Sequence, residues 1–531
     1  MNRFLAGLVA AGLIAVVLVA LPHETFDLDR FAVPKELVLH LIALAGLIAR
    51  RKQWIARDPS TIDVALTCFV GASLLSALFA ANDWLALRAL ALSTSGAVIF
   101  VTARDLRDAG LGGWLLGAAA FATAAGAVTG LLQAYGVWTG LAAQARAPGG
   151  TLGNRNFMAH LAVMGLPVLA WFALTSRARI VALLASAGIA LSAAAIVLSR
   201  SRAAWLGAGV MLLAAGVAWR IRRTGAPAVE PTPATPRHSL IPFAAALFGI
   251  MAAVVLPNQL RWRSDSPYVD SLRRVANYRE GSGRGRLIQY GNSLRMAASH
   301  PVLGVGPGNW PVEYPRFATP GDPSFSPWLV QPTNPWPSSD WVAVLSERGA
   351  AGGITLLWFG LIAVIATVLG LRRMDGAPSA EGGVALVAMV AAAAATVVMG
   401  LFDAVLLQAA PLFAAAVTTG VLLPPVAPWE GGRPRTRCWV IDAATVLVAL
   451  GLVRSTAQAV AMTLYESGGE ARWTWATRVD PGNYKMRMLL AEGWRARGRC
   501  DRAVDEARAA RRLMPETPAP DELLRKCGNR R

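Results

Sequence analysis

Charge is what this sequence has least of. Only 16% of its 531 residues are Asp, Glu, Lys or Arg, where a soluble domain carries about 25%. That shortfall excludes an ordinary water-soluble globule. Cysteine is also scarce: four residues in all, too few for a disulfide scaffold. Histidine occurs five times. Neither histidines nor carboxylates recur at metal-ligand spacing, so the sequence calls for no metal and no cofactor. Cys68 lies in an apolar run and Cys438 opens another. Cys500 and Cys527 lie in a polar C-terminal stretch. They pair if that stretch occupies an oxidising compartment, and remain two thiols otherwise.

Apolar residues are what the chain has in excess. They make up 55% of it, with a mean hydropathy of +0.45. About 20 apolar residues cross a bilayer as a helix. Runs of that kind fall at 4–21, 36–50, 62–80, 85–102, 111–135, 156–175, 180–198, 203–219, 239–257, 350–371, 384–403, 405–423 and 438–458. The first follows Arg3 like a signal sequence, but Leu21-Pro22-His23-Glu24 offers no small-residue cleavage site, so it counts as a span. The expected fold is an all-α polytopic membrane protein with about 13 transmembrane helices. Its expected parts are a first transmembrane section at 1–257, a large periplasmic loop at 258–349, a second transmembrane section at 350–458 and a helical tail at 459–531.

The net charge of +19 sits largely in short loops, where Lys and Arg set orientation. Nucleic acid is therefore not the inferred partner. With the N-terminus inside, the inside loops are 50–57, 104–107, 177–179, 220–223, 372–373 and 433–437, each with at least two arginines. Outside fall the acidic loop 24–29, the arginine-free Asn82-Asp83 and the long segment 258–349, whose length exempts it from the charge rule. The C-terminus is then periplasmic. Residues 227–238, rich in Pro, Ala and Thr, read as a flexible inside linker.

The tail changes character. Pro481 and Pro515 lie 34 residues apart, the tetratricopeptide period, and Ala491, Trp494, Gly498, Ala503, Ala507 and Ala510 fall at packing positions between them. One such repeat cannot bury a full apolar face alone, so it leans on the external loop or on a protein partner. A plain helical hairpin is the alternative.

Four polar motifs share the outer side in this topology. Gly149-Gly150-Thr151-Leu152-Gly153-Asn154-Arg155-Asn156 precedes the sixth span; its glycines let backbone N–H groups face a ligand, and its asparagines also suit a helix cap. Arg200 and Arg202 lie between two spans, where ionisable groups are costly and usually have a task. Gly281 to Tyr290 carries Arg284 and Arg286. His300-Pro301-Val302-Leu303-Gly304-Val305-Gly306-Pro307-Gly308-Asn309-Trp310 has a Gly-x-Gly-x-Gly run, but no strand precedes it and no Lys follows, which argues against a nucleotide loop.

The order Gly150 to Asn156, Ser201-Arg202, Arg286 to Tyr290, His300 to Asn309 and Glu347-Arg348-Gly349 resembles the O-antigen ligase and polymerase superfamily over roughly residues 30–425. The resemblance implies a glycosyltransferase of the bacterial inner membrane. Such enzymes move a glycan from undecaprenyl pyrophosphate to lipid A core, to another lipid-linked glycan or to a protein hydroxyl, without metal or nucleotide sugar. It implies that Arg202 and Arg286 hold the pyrophosphate, with Arg200, Arg284, Asn154 and Asn156 beside them. Guanidinium forks suit that ligand because they bind phosphate oxygens bidentately and stay charged. Family members commonly carry His-Asn nine residues before the Glu-x-Gly, and that His is the favoured general base. Here the position is Ser338, followed by Ser339 and Asp340. Asp340 is the nearest substitute base, followed by His300 and His160. Alternatives are a protein O-oligosaccharyltransferase using the tail to recruit its acceptor, an envelope-assembly scaffold that has lost catalysis, and a transporter. The last lacks support, since its polar motifs would lie near the midplane rather than at one face.

Overall fold

The computed structural model describes residues 1–21, 27–137, 146–225, 240–262, 264–273, 279–372, 380–430 and 434–528. The linker 227–238 lies outside them, as do parts of the acidic loop 24–29 and the basic residues Arg373 and Arg433. Among the described residues the regular structure is helical, with no strand longer than an isolated bridge.

In chain order the helices are α1 (Asn2–Leu18), α2 (Asp27–Ala56), α3 (Thr61–Ala77), α4 (Asp83–Asp108), α5 (Gly112–Ala134), α6 (Arg155–Thr175), α7 (Arg179–Ser199), α8 (Arg202–Gly225), α9 (Ile241–Val255), α10 (Pro267–Arg273), α11 (Gly281–Ser299), α12 (Trp310–Glu313) and α13 (Asp340–Arg372). They continue with α14 (Ala380–Phe402), α15 (Ala409–Leu422), α16 (Pro434–Glu466), α17 (Glu470–Val479), α18 (Tyr484–Ala496), α19 (Cys500–Leu513) and α20 (Ala519–Gly528). Among the described residues, nine helices are long and apolar enough to cross a membrane: α2, α4 to α8, α13, α14 and α16. The shorter apolar helices α1, α3, α9 and α15 lie on the remaining four expected spans. Several boundaries differ from the hydropathy runs. α2 starts nine residues ahead of its apolar run and ends six after it, α13 starts ten residues ahead of its own, with a break at Gly349, and α16 extends past its own at both ends.

The chain divides into two compact units. The first comprises 1–64, 95–276 and 358–445; the second comprises 65–94, 277–357 and 446–531.

In the first unit, small residues set how closely helices approach. A Cβ on Gly249 would stand 2.0 Å from the Ala190 carbonyl oxygen of α7, and one on Gly165 would stand 2.0 Å from Thr123 Oγ1 of α5. Such contacts suit a bilayer, where dispersion rather than water exclusion holds helices together. Helix ends in this unit gather into two polar faces. On one, Trp54 and Arg57 donate to Asp105, Arg104 donates to Asp63 at 2.5 Å, and Arg107 and Arg437 donate to the carbonyls of Leu423 and Arg57. These are loops the charge rule assigns to one side. On the other, Lys35 Nζ donates to Val17 O at 3.1 Å and Val19 O at 2.6 Å, Thr151 Oγ1 also donates to Val17 O, and Gln259 N donates to Ala134 O.

In the second unit, α18 and α19 pair as a hairpin. The rings of Trp473 and Trp494 meet edge-on at 5.4 Å, and α18 starts at Asn483, whose side chain accepts from Met486 N. Cys500 and Cys527 are joined as a disulfide between α19 and α20. Asp480 is buried, accepting from Trp84 Nε1 at 2.8 Å and Asn483 Nδ2 at 2.9 Å. Burial pushes its carboxyl above the usual range, against the pull of Arg454 and Arg487.

Candidate functional site

The glycine-rich turn before α6 is built inward. Gly150 N donates to Gln133 Oε1 at 2.9 Å and Thr151 N to Thr129 Oγ1 at 3.3 Å. Leu152 and Gly153 amides close on the carbonyls of Gly149 and Gly150. A side chain is barred at Gly150, whose φ is +52° and whose added Cβ would lie 2.3 Å from Thr129 Oγ1. These amides therefore hold the turn's shape instead of facing a ligand. Asn154 caps α6 by accepting from Asn156 N. Asn156 Nδ2 donates to Asp403 Oδ2 at 2.8 Å, and His160 Nε2, one turn on, stands 4.0 Å from the same oxygen. His160 is fully buried.

Arg200 and Arg202 separate at the next hairpin. Arg200 ends α7 in the left-handed conformation (φ +52°) and its Nε donates to Ser271 Oγ at 2.7 Å. Arg202, half-buried, begins α8. All of these residues belong to the first unit.

The second unit brings together the other motif residues. α11 buries a polar face: Gln289, with Asn292 and Ser293 one turn on. Each is paired. Asn292 Nδ2 donates to Asp322 Oδ2 at 2.7 Å, and Tyr314 OH donates to the same oxygen. Burial and the Asp322 carboxylate push the Tyr314 phenol upward. Gln289 Nε2 donates to Ser324 Oγ at 3.0 Å, while its Oε1 accepts from Ser338 N at 2.6 Å. Tyr290 OH donates to Ser338 O at 2.8 Å. The backbone of Ser338 is thus gripped on both sides by consecutive residues of α11. Arg286 lies one turn earlier on that helix, half-buried, and Arg284 is exposed on its first turn. Asp340, buried, opens α13 two residues after Ser338. His300 ends α11, exposed, its Nδ1 3.0 Å from Ser299 Oγ.

The Gly-x-Gly-x-Gly loop and the Glu-Arg-Gly triplet prove to be two halves of one packing motif. Val305 N and Gly306 N donate to Ser346 O and Glu347 O; Ala350 N and Ala351 N donate back to Pro301 O and Val302 O. Gly349 breaks the helical path of α13 with φ +59° and ψ −160°. Arg348 is buried, bonding Ser73 Oγ at 3.0 Å and Ser93 Oγ at 3.2 Å. Asn309, fully buried, accepts from Asn82 N at 2.7 Å and donates to Asn82 O at 3.2 Å. The Val305 and Gly306 amides of this loop are thus spent on the backbone of α13.

Sequence reasoning named Tyr290 as the aromatic end of the motif that starts at Arg286 but gave it no role, and gave none to Gln289 beside it. It also passed over Arg155, Trp262 and Asp403; nothing local in the sequence ties Asp403 to Asn156. Among the described residues no group of His, Cys, Asp and Glu is arranged to hold a metal ion.

Residues 187–357 match the family model described as O-antigen ligase. No curated protein matches the chain.

Proposed function

Since residues 187–357 carry the domain of the O-antigen ligase family, whose membrane enzymes act on lipid-linked glycans, we propose that this chain is a glycosyltransferase with an undecaprenyl-pyrophosphate-linked donor. The acceptor is lipid A core or another glycan, and the site opens on the periplasmic face of the inner membrane. The observation that carries the reading is the grip of Gln289 and Tyr290 on Ser338, one turn from Arg286. It ties the helix that carries Arg286 to the segment leading to Asp340, the kind of support a group-transfer site requires.

In the proposed reaction the acceptor hydroxyl attacks the anomeric carbon and gives its proton to Asp340. The bond from that carbon to the phosphate oxygen breaks, and undecaprenyl pyrophosphate leaves. Arg286 takes the growing negative charge, with Arg202 assigned to the same ligand by motif order and Arg200 and Arg284 adding positive field. Asn154 and Asn156 fix the start of α6. Ser338 supplies the held backbone rather than a base, because a serine hydroxyl has no proton affinity suited to that role at neutral pH.

A protein acceptor is the second reading, favoured by the helical tail α17 to α20, a surface able to recruit one. Chromatography of lipid-linked glycans from a strain lacking the protein separates the possibilities. Long unused chains indicate a ligase and accumulated single units a polymerase; an unchanged profile refutes the assignment.

A further inference from the structure

Helix α17 is held against the end of a membrane-crossing helix. α16 is long and apolar enough to span a bilayer and ends at Glu466. Its exposed apolar residues Val446, Leu450, Val453 and Val460 repeat as one helix face, the pattern of a lipid-facing side, and that face reaches almost to its end. α17 begins four residues after Glu466 and folds back on the last turn of α16. Trp473 Nε1 donates to Tyr465 O at 3.1 Å, and Arg472 donates to Ser467 O at 2.9 Å. These bonds keep α17 at the level where the apolar part of α16 gives out.

The two faces of α17 differ. One is spent inside the fold: Ala476 and Thr477 are buried, and Trp473 packs on Trp494. The other carries Ala471, Arg472, Trp475 and Arg478, all exposed. Trp475 is 57% exposed, and the Arg478 guanidinium carbon lies 5.5 Å from its ring centroid. The neighbouring Glu470 is paired with Arg499 at 3.6 Å. What remains is a bulky indole flanked by two arginines. Tryptophan favours the headgroup level of a bilayer, because its ring is apolar and its N–H is polar. Arginines beside it complement anionic lipid.

We propose that Trp475, Arg472 and Arg478 form a membrane-surface anchor. The indole enters the border between headgroups and acyl chains in the leaflet where α16 ends, and the two guanidiniums meet anionic phospholipid headgroups. The anchor acts on more than the tail. Arg316 pairs with Glu516 at 2.9 Å, Asn82 donates to Leu513 O at 3.2 Å, and Val312 shares an apolar cluster with Tyr484, Met488 and Met514. Seating α17 on the bilayer therefore sets the height of the 312–316 segment of the large loop. The inference rests on α16 spanning the membrane and is independent of the glycan-transfer reading.

The test is a spin-label depth measurement on the full-length protein in nanodiscs of phosphatidylethanolamine and phosphatidylglycerol. Cys68→Ala and Cys438→Ser remove the free thiols. A nitroxide is then attached at Ala471→Cys, on the exposed face one turn before Trp475. The label should collide more often with oxygen than with a water-soluble nickel chelate, as one at exposed Ile354→Cys of α13 does. A label at Arg508→Cys, exposed on α19, should show the reverse. Trp475→Ser, and separately Arg472→Ser with Arg478→Ser, should shift the ratio at 471 toward nickel. These side chains are exposed, so their loss leaves the fold intact. Nickel access at 471 equal to that at 508 overturns the proposal. Shielding from both reagents also overturns it, since that marks a protein contact instead. So does a ratio that neither set of substitutions changes.

Discussion

Replacing Gln289 with Leu examines how the site is held together. The side chain is buried and joins α11 to two points of the following segment, Ser324 and Ser338. Each hydrogen bond contributes about 1 kcal/mol net, and a polar group left buried without a partner costs about 1–3 kcal/mol. Leu is of similar size, so packing changes little. The change should destabilise the 322–340 segment by about 2–4 kcal/mol, after allowing for water reaching half-exposed Ser338. The functional effect should exceed the thermal one, because displacement of a reacting group by about 1 Å can cost about 10²-fold in rate. The assay is glycan transfer by the purified protein in liposomes, alongside limited proteolysis of residues 322–340. The Gln289→Glu variant keeps an acceptor for Ser338 N and should recover part of the rate. A Gln289→Leu protein with wild-type transfer and wild-type protease resistance would refute the claim that α11 positions Ser338 and Asp340.

Other expected outcomes bear on the fold and the tail. Gly349→Ala adds a Cβ 2.5 Å from the Val302 carbonyl at a backbone geometry nearly confined to glycine, and should cost at least about 2–3 kcal/mol; thermal unfolding checks it, and unchanged stability would deny the packing of loop 301–306 on α13. Cys500→Ser should destabilise the tail by about 3–4 kcal/mol, from the chain entropy of the 27-residue loop the disulfide closes; proteolysis of 500–527 reads this, and thiol-reactive reagents should label the native pair only after reduction. Asp480 is raised by burial, so its protonated form favours the folded tail. That contribution is present in acid, below the ordinary carboxylate range, and is lost as pH rises through the elevated value. Asp480→Asn should flatten this part of the pH–stability curve, and an identical curve for both proteins would contradict it.

The membrane-spanning elements were legible because hydropathy and helix length report the same physics: a chain in hydrocarbon must satisfy its own backbone. In the first unit, residues of the arginine-rich loops 50–57, 104–107 and 433–437 bond one another. The partner of the Gly-x-Gly-x-Gly loop, the kink at Gly349, was not foreseeable. A left-handed glycine in an apolar helix looks like any other small residue until the opposing chain is seen. Asn154 as a cap was readable from its place before an apolar run. The inward use of the Gly150 and Thr151 amides was not, because their acceptors, Gln133 and Thr129, stand on the preceding helix. The polar face of α11 was hidden for a related reason. Gln289, Asn292 and Ser293 look solvent-exposed by composition, and it is partners distant in sequence, among them Ser324, Ser338, Asp322 and Trp310, that offset the cost of their burial. Long-range polar pairs such as Asn156 with Asp403 leave no periodic trace.

The most direct measurement is release of undecaprenyl pyrophosphate from a labelled lipid-linked glycan by the purified protein in liposomes, without metal or nucleotide sugar. The account predicts turnover by wild type. It predicts losses of about 10²–10³-fold in Arg202→Ala and Arg286→Ala, with membrane insertion and thermal unfolding intact. Equal release by wild type and both arginine variants would contradict it.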